Sequence, residues 1–463
     1  MRKIVAGVDS STQSVKVVLR DATTGELIAQ SSRPHPDGTE VDPQEWKRAL
    51  EGALGELSQH RIDAISIAGQ QHGMVALDQA GDVVRKALLW NDTRSSVEAE
   101  EINKQFPDIH RRTGSRLVAS FTASKVRWLS KNEPNIARRV ATIALPHDWL
   151  SWQLMSDNKI GSLFTDRSDA SGTGYFDPKK NEYCGDIFSY VLNSENSISL
   201  PRIVNPGEIA AETSSGIPLA CGAGDNAAAA LGVGARVGDL VISLGTSGTA
   251  FAVSAIGTHD SSGEVAGFAD ATGNFLPLAC TLNAAKVFAS VARSLALTWE
   301  EFSEVAMQAK PGCDGLRLLP HFDGERTPNR PNARGSFVGI THSNFTRENI
   351  ARSSIEGVVA GMIYAWKAVE KQGVSKKRVL LIGGAARNPA VQQIAASMLG
   401  TDIHVPAPGE YVADGAAKQA AWALLGSPAA PEWELGASKI VTPIDADDSS
   451  EVVASYLDLI ASI

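Results

Sequence analysis

The chain has 463 residues, more than one ordinary compact core accommodates, so about two or three domains are expected. Hydrophobic residues make up 43% and charged residues 21%, which excludes disorder as the main state. Lys and Arg number 43 against 52 Asp and Glu, and a net charge of -9 with no long basic run speaks against nucleic-acid binding.

No apolar run is long enough to span a bilayer, so no membrane partner is expected. Met1-Arg2-Lys3 precedes only a short apolar stretch ending at Asp9, which is not a secretory signal. Cys184, Cys221, Cys280 and Cys313 show no CxxC spacing and read as free thiols in a reducing cytoplasm.

The chain opens as three strands, Ile4 to Val8, Val15 to Leu19 and Leu27 to Ala29, joined by polar turns into an antiparallel meander. A helix follows from Pro43 to Leu57, with Asp42 as N-cap and Trp46, Leu50, Leu54 and Leu57 on one face. Ile62 to Ala68 reads as a strand, and Met74 to Leu77 as another apolar run. The opening unit recurs at Leu240 to Leu244, Gly245 to Thr249 and Ala250 to Val253. That recurrence suggests an internal duplication with a boundary near residue 235, giving units 1–235 and 236–463 with a cleft between them. Later, Val379 to Ile382 reads as a strand, Asn388-Pro389 as the start of a helix reaching Leu399, and Ala413 to Leu425 as a further helix.

Five segments are candidates for chemistry, although read alone each also fits an ordinary turn, a helix cap or, for His72, a structural histidine. Asp9 ends a buried strand and is followed by Ser10, Ser11, Thr12, Gln13 and Ser14, whose amides and hydroxyls suit phosphate oxygens. Asp9 itself repels phosphate and suits a hydrated Mg²⁺. Gly245 to Thr249 is a second donor-rich turn without P-loop spacing, so two hairpins would grip one nucleotide. Gly383 to Asn388 is a strand-to-helix turn of small residues, flat enough for an adenine, and lacks the dinucleotide fingerprint. Asp225 follows Gly222-Ala223-Gly224 and reads as a helix N-cap, where the helix dipole would lower its pKa. Gln71 and His72, with Trp90 not far along the chain, suit sugar hydroxyls and a sugar ring face.

Two longer segments make the chain resemble the FGGY family of carbohydrate kinases, and within it the xylulokinases. One runs from Ser120-Phe121-Thr122-Ala123-Ser124-Lys125 to Asn132, the other from Gly335-Ser336-Phe337 to Glu356. Asp323 to Pro328 and Thr165 to Thr173 are similar to the same family. The resemblance implies an α/β fold of two ribonuclease-H-like domains, as in actin and the sugar kinases, around an interdomain cleft. It implies Asp225 as general base and Asp9 as the Mg²⁺-associated carboxylate. Gln71, His72 and Asn226 then meet the sugar, and Thr12, Gln13, Gly245, Thr246, Gly384 and Asn388 meet ATP. The implied reaction is ATP-dependent phosphorylation of the terminal hydroxyl of a ketopentose, D-xylulose to D-xylulose 5-phosphate. Ribulose or a polyol is the alternative acceptor, and a non-catalytic actin-like nucleotide switch the alternative class. The chain departs from the family at Ser11, usually Gly, and at Gln71, usually Met. Beyond residue 426 only Val452 to Ile463 is readable, as an amphipathic helix that fits either the core or a partner subunit in a homodimer.

Overall fold

The computed structural model describes residues 2–157, 159–192, 198–433, 436–444 and 446–462. Met1 and Ile463, the outer ends of the two terminal readings, lie outside them. The opening meander is present as strands Ile4–Ser10, Ser14–Asp21 and Leu27–Pro34. The helix Pro43–Gly55 follows, with the Asp42 side chain accepting from the Gln44 amide.

The same strand pairing occurs in both halves. Ile4–Ser10 pairs antiparallel with Ser14–Asp21 and parallel with Ala64–Gly69. Asp239–Leu244 pairs antiparallel with Gly248–Ala252 and parallel with Arg378–Ile382. Each half is thus built on a seven-stranded mixed sheet whose central strand ends in a hydroxyl-rich hairpin. Central strands buried on both faces read as continuous apolar runs, which is why the β-branched pattern located them.

Side-chain alternation sorts each central strand between two cores. Ala6 and Val8 pack with Trp46, Leu50, Trp149 and Leu150, whereas Val5 packs with Ala413, Ala417, Ala420 and Ala421. The second sheet divides likewise: Leu240, Ile242 and Leu244 join one core. Val241 faces the other way, into a core that also holds Leu231 and Met74 from the first half.

The helix Tyr411–Leu425 comes late in the chain yet covers the first sheet. It is fastened there by Arg20 Nε to Asp414 Oδ1 at 2.6 Å, Ser66 Oγ to Gln419 Oε1 at 2.6 Å and Lys16 Nζ to Glu410 Oε2 at 2.6 Å. Small residues permit unusually close approach. A Cβ on Gly7 would stand 2.0 Å from the Ala413 carbonyl oxygen, and one on Gly415 only 1.8 Å from that of Ala228. The crossing helix therefore touches the backbone of Asp225–Gly232, the helix that begins at Asp225.

The tail forms the helix Ala446–Ser462 and packs on its own core through Val452, Tyr456 and Ile460. Tyr456 Oη donates to the Ser353 carbonyl at 3.1 Å and lies 3.4 Å from the Leu318 amide.

Gly415→Ala is expected to cost about 3 kcal/mol, the upper end of ordinary overpacking, because both neighbours of the new methyl are backbone. Urea unfolding with an unchanged midpoint would show that the two helices can separate freely.

Candidate active site

Strand register gathers the site. Ala64–Gly69 pairs in parallel with Ile4–Ser10, Asp9 opposite Ala68 and Ser10 opposite Gly69. On its other side it pairs in parallel with Ala223–Gly224, Gly224 opposite Gly69. Three neighbouring strands therefore end at one level. Asp9, the turn Gln70–Gly73 and Asp225 all emerge there, at the carboxyl ends where open α/β sheets bind ligands.

Asp9 is buried, and its Oδ1 accepts from Ser11 Oγ at 2.6 Å. The Ser11 hydroxyl thus holds the carboxylate. Burial pushes the Asp9 carboxyl up to about 6, against the opposing pull of Ser11 and Lys16. Asp225 corrects the sequence reading twice. The N-cap of its helix is Gly224, and Asp225 is the first helical residue. Its carboxyl is also raised, not lowered, to about 7, first by burial and then by the charge of Asp9. The Asn226 amide and Nδ2 both donate to Asp225 Oδ1, at 2.7 and 2.8 Å, which fixes the carboxylate and pulls only weakly against that rise.

Gln71 is buried against Gly224, where a Cβ would stand 2.8 Å from Gln71 Cγ, and its Nε2 lies 3.4 Å from the Ser168 carbonyl. His72 adopts a left-handed φ of 67°. Its Nδ1 lies 2.6 Å from the Gly172 carbonyl, which can only accept, so Nδ1 bears the proton and Nε2 is left as an acceptor. Burial, with Lys125 and Arg326 adding positive charge, drives its pKa down to about 3. The ring packs on Phe121 at 4.8 Å and on Phe268 at 5.5 Å, the latter from the second half. Trp90 is 37% exposed and donates from Nε1 to Thr12 Oγ1 at 2.9 Å. It therefore braces the first hairpin.

That hairpin is clipped from behind by His35, whose Nδ1 donates to the Ser11 carbonyl and whose amide donates to the Gln13 carbonyl, both at 2.8 Å. Gln13 is exposed at its tip. In the second half, Gly245 and Thr246 lie in the turn between Asp239–Leu244 and Gly248–Ala252, and Thr246 is exposed. Gly383, at φ 96°, lies so close to Leu244 that a Cβ would sit 2.6 Å from its carbonyl carbon. Gly384 next to it borders open space. Asn388 is engaged as the N-cap of Pro389–Leu399, its Oδ1 accepting from the Ala390 and Val391 amides. Among the described residues no group of three or more His, Cys, Asp or Glu side chains forms a metal cage, and no helix is long and apolar enough to cross a membrane.

Sequence reasoning passed over Ser168, Gly172 and Phe268 as contacts of Gln71 and His72. The family-like run Thr165 to Thr173 pointed at the first two, and nothing local pointed at Phe268. Nitrogen NMR of His72 should show Nδ1 protonated, Nε2 bare and no titration between pH 5 and 8. A midpoint near the ordinary 6.5 would overturn this environment.

The model for the FGGY family of carbohydrate kinases, N-terminal domain, matches residues 4–232, and the C-terminal domain model matches residues 240–424. A xylulose kinase of Streptomyces rubiginosus is 41% identical over 468 aligned positions, covering 96% of this chain and 94% of that protein. A xylulose kinase of Escherichia coli is 33% identical, covering 86% and 85%. The crystal structure of xylulose kinase from Bifidobacterium adolescentis superposes with a TM-score of 0.90 at 41% identity, covering 99% of each chain. These matches make the protein an enzyme, a phosphotransferase acting on an alcohol group, with the two-unit actin-like fold of the sugar kinases. The nucleotide-switch alternative falls with them. Matched on both halves by family models and aligned with relatives over nearly its whole length, the chain belongs to the FGGY family of carbohydrate kinases.

Proposed function

We propose that the protein transfers the γ-phosphoryl group of ATP to the terminal hydroxyl of D-xylulose. The observation that carries the reading is the convergence of Asp225, Asp9 and the Gln71-His72 pair at three aligned strand ends. The relatives named xylulose kinase support the choice of sugar.

In this reading His72 Nε2 accepts from one sugar hydroxyl, and Gln71 and Asn226 bind others. Trp90 flanks the sugar and steadies Thr12. Asp225 orients the attacking hydroxyl and takes its proton; a carboxyl raised to about 7 is better matched to that task than an ordinary aspartate. Phosphoryl transfer needs positioning and charge stabilisation more than early deprotonation. Thr12, Gln13, Gly245 and Thr246 bind phosphate oxygens from the two hairpins, and Gly384 leaves room for the adenine, with Asn388 supporting that turn.

Asp9 fits a magnesium ion. Mg²⁺ is usually held by one or two carboxylates plus waters and phosphates, so the lack of a protein cage among the described residues is no objection. When bound there it would neutralise charge on the β- and γ-phosphates. The two units, 1–235 with the crossing helix 411–425 and the rest of 236–463, closing on the cleft, would exclude water. We place the enzyme in the cytoplasm, in keeping with its four free cysteines. A homodimer would have to use a surface other than the buried face of the tail helix.

The test is ADP release with ATP and Mg²⁺ across D-xylulose, L-xylulose, D-ribulose, L-ribulose, glycerol and no sugar. D-xylulose should give the dominant response; a stronger response to another acceptor would reassign the substrate and implicate Gln71. Asp225→Ala should lower kcat by about 10³-fold with the fold and ATP binding retained. Near-normal turnover in that variant would remove Asp225 from the base role.

A further inference from the structure

His147 is the second residue of the helix Pro146–Leu154 and is wholly buried. Its Nδ1 lies 2.8 Å from Asp169 Oδ2 and 3.2 Å from Asp148 Oδ1, and its Nε2 lies 3.6 Å from Asp166 Oδ1. Those carboxylates are buried as well. Burial by itself strips a proton from an imidazolium. Here Asp148, Asp169 and Asp166 outweigh it and raise His147 to about 10, so the ring is a cation at neutral pH. A buried charge cluster adds little net stability, while removing one partner is costly. Its presence calls for a role beyond stability, and none of its members takes part in the chemistry described above.

The role is written in what the cluster touches. A Cβ on Gly222 would stand 2.3 Å from His147 Cδ2, so the ring lies directly under the turn that leads into Asp225. A Cβ on Gly69 would stand 2.9 Å from His147 Cβ, so the same residue supports the strand end that leads into Gln71 and His72. Asp169, clamped by His147, belongs to the short helix Arg167–Ala170, whose N-cap Asp166 is also in the cluster. That segment meets both sides of the site. Ser168 Oγ accepts from the Gly224 amide at 3.1 Å, and the Gly172 carbonyl accepts from His72 Nδ1 at 2.6 Å.

We propose that His147 is a positioning residue for phosphoryl transfer, a single buried cation on which the sugar-binding turn, the 166–172 segment and the turn into Asp225 are assembled in register. The inference rests on the roles given above to Asp225 and the Gln71-His72 pair. His147→Gln keeps a polar side chain and removes the charge. Its kcat should fall about a hundredfold, the effect of misplacing reacting groups by roughly an ångström, and KM for the sugar should rise, while KM for ATP stays within twofold. His147→Lys restores a cation among the three carboxylates and should recover most of that loss. Rates are referred to folded enzyme, determined by thermal melting. Should His147→Gln not fold, Asp169→Asn, which releases only the Nδ1 clamp, should show the same split between kcat and ATP KM. Wild-type kcat in folded His147→Gln, or a Lys variant no better than Gln, overturns the proposal. Asp225→Ala measured alongside separates the two readings. If it is inactive while His147→Gln is normal, only this inference fails; if it is active, the assignment of the base fails.

Discussion

The molecule depends on one constraint, the parallel seating of Ala64–Gly69 between Ile4–Ser10 and Ala223–Gly224. Side chains in a strand alternate faces, so a shift of one residue would turn every one over. Ala6, Val8, Ile65 and Ile67 face the core with Trp46 and Trp149. That burial fixes the register, and the register fixes which residues leave the sheet at its carboxyl edge. The site is thus a consequence of core packing: the apolar side chains that hold the strands also decide that Asp9, Gln71 and Asp225 come together.

The second constraint is closeness. The crossing helix can lie on the first sheet because Gly7 carries no side chain, and against the helix Asp225–Gly232 because Gly415 carries none. It returns from the second half to cover strands of the first, and a buried Arg20–Asp414 pair holds it there. Sequence order and physical membership therefore differ for residues 411–425. Any relative motion of the two halves must leave this backbone contact intact or pivot on it, and the helix beginning at Asp225 is part of that contact.

Much of this was legible in the sequence because the signals were local. β-Branched runs ended by hydroxyl-rich turns marked both hairpins, and Asp42-Pro43 and Asn388-Pro389 marked two helix starts through caps that the structure contains. What failed was non-local. The dipole beside Asp225 is visible in sequence, but the burial and the Asp9 carboxylate that overrule it are brought there by folding. Trp90 follows the Gln70–Gly73 turn in sequence, yet its hydrogen bond to Thr12 spans two elements with no shared motif. His147 gave no signal, since a lone histidine at a helix start is ordinary until three carboxylates surround it.

The electrostatics of the site then follow from placement alone. His72 is kept neutral by burial and by Lys125 and Arg326, so its Nε2 can only accept a hydrogen bond. Asp225 is kept from being a fully ionised, weakly basic aspartate by burial and by Asp9. Both shifts serve the same end. A hydroxyl that donates to His72 needs no charged partner, and a hydroxyl facing Asp225 meets a group able to take its proton near neutral pH. Among the described residues, the causes of these shifts include no cation beside Asp225 to lower it and no carboxylate beside His72 to raise it. The structure keeps the buried His147 ringed by Asp148, Asp166 and Asp169. His147 touches the turn into Asp225, while the raised Asp225 carboxyl owes its shift to burial and Asp9.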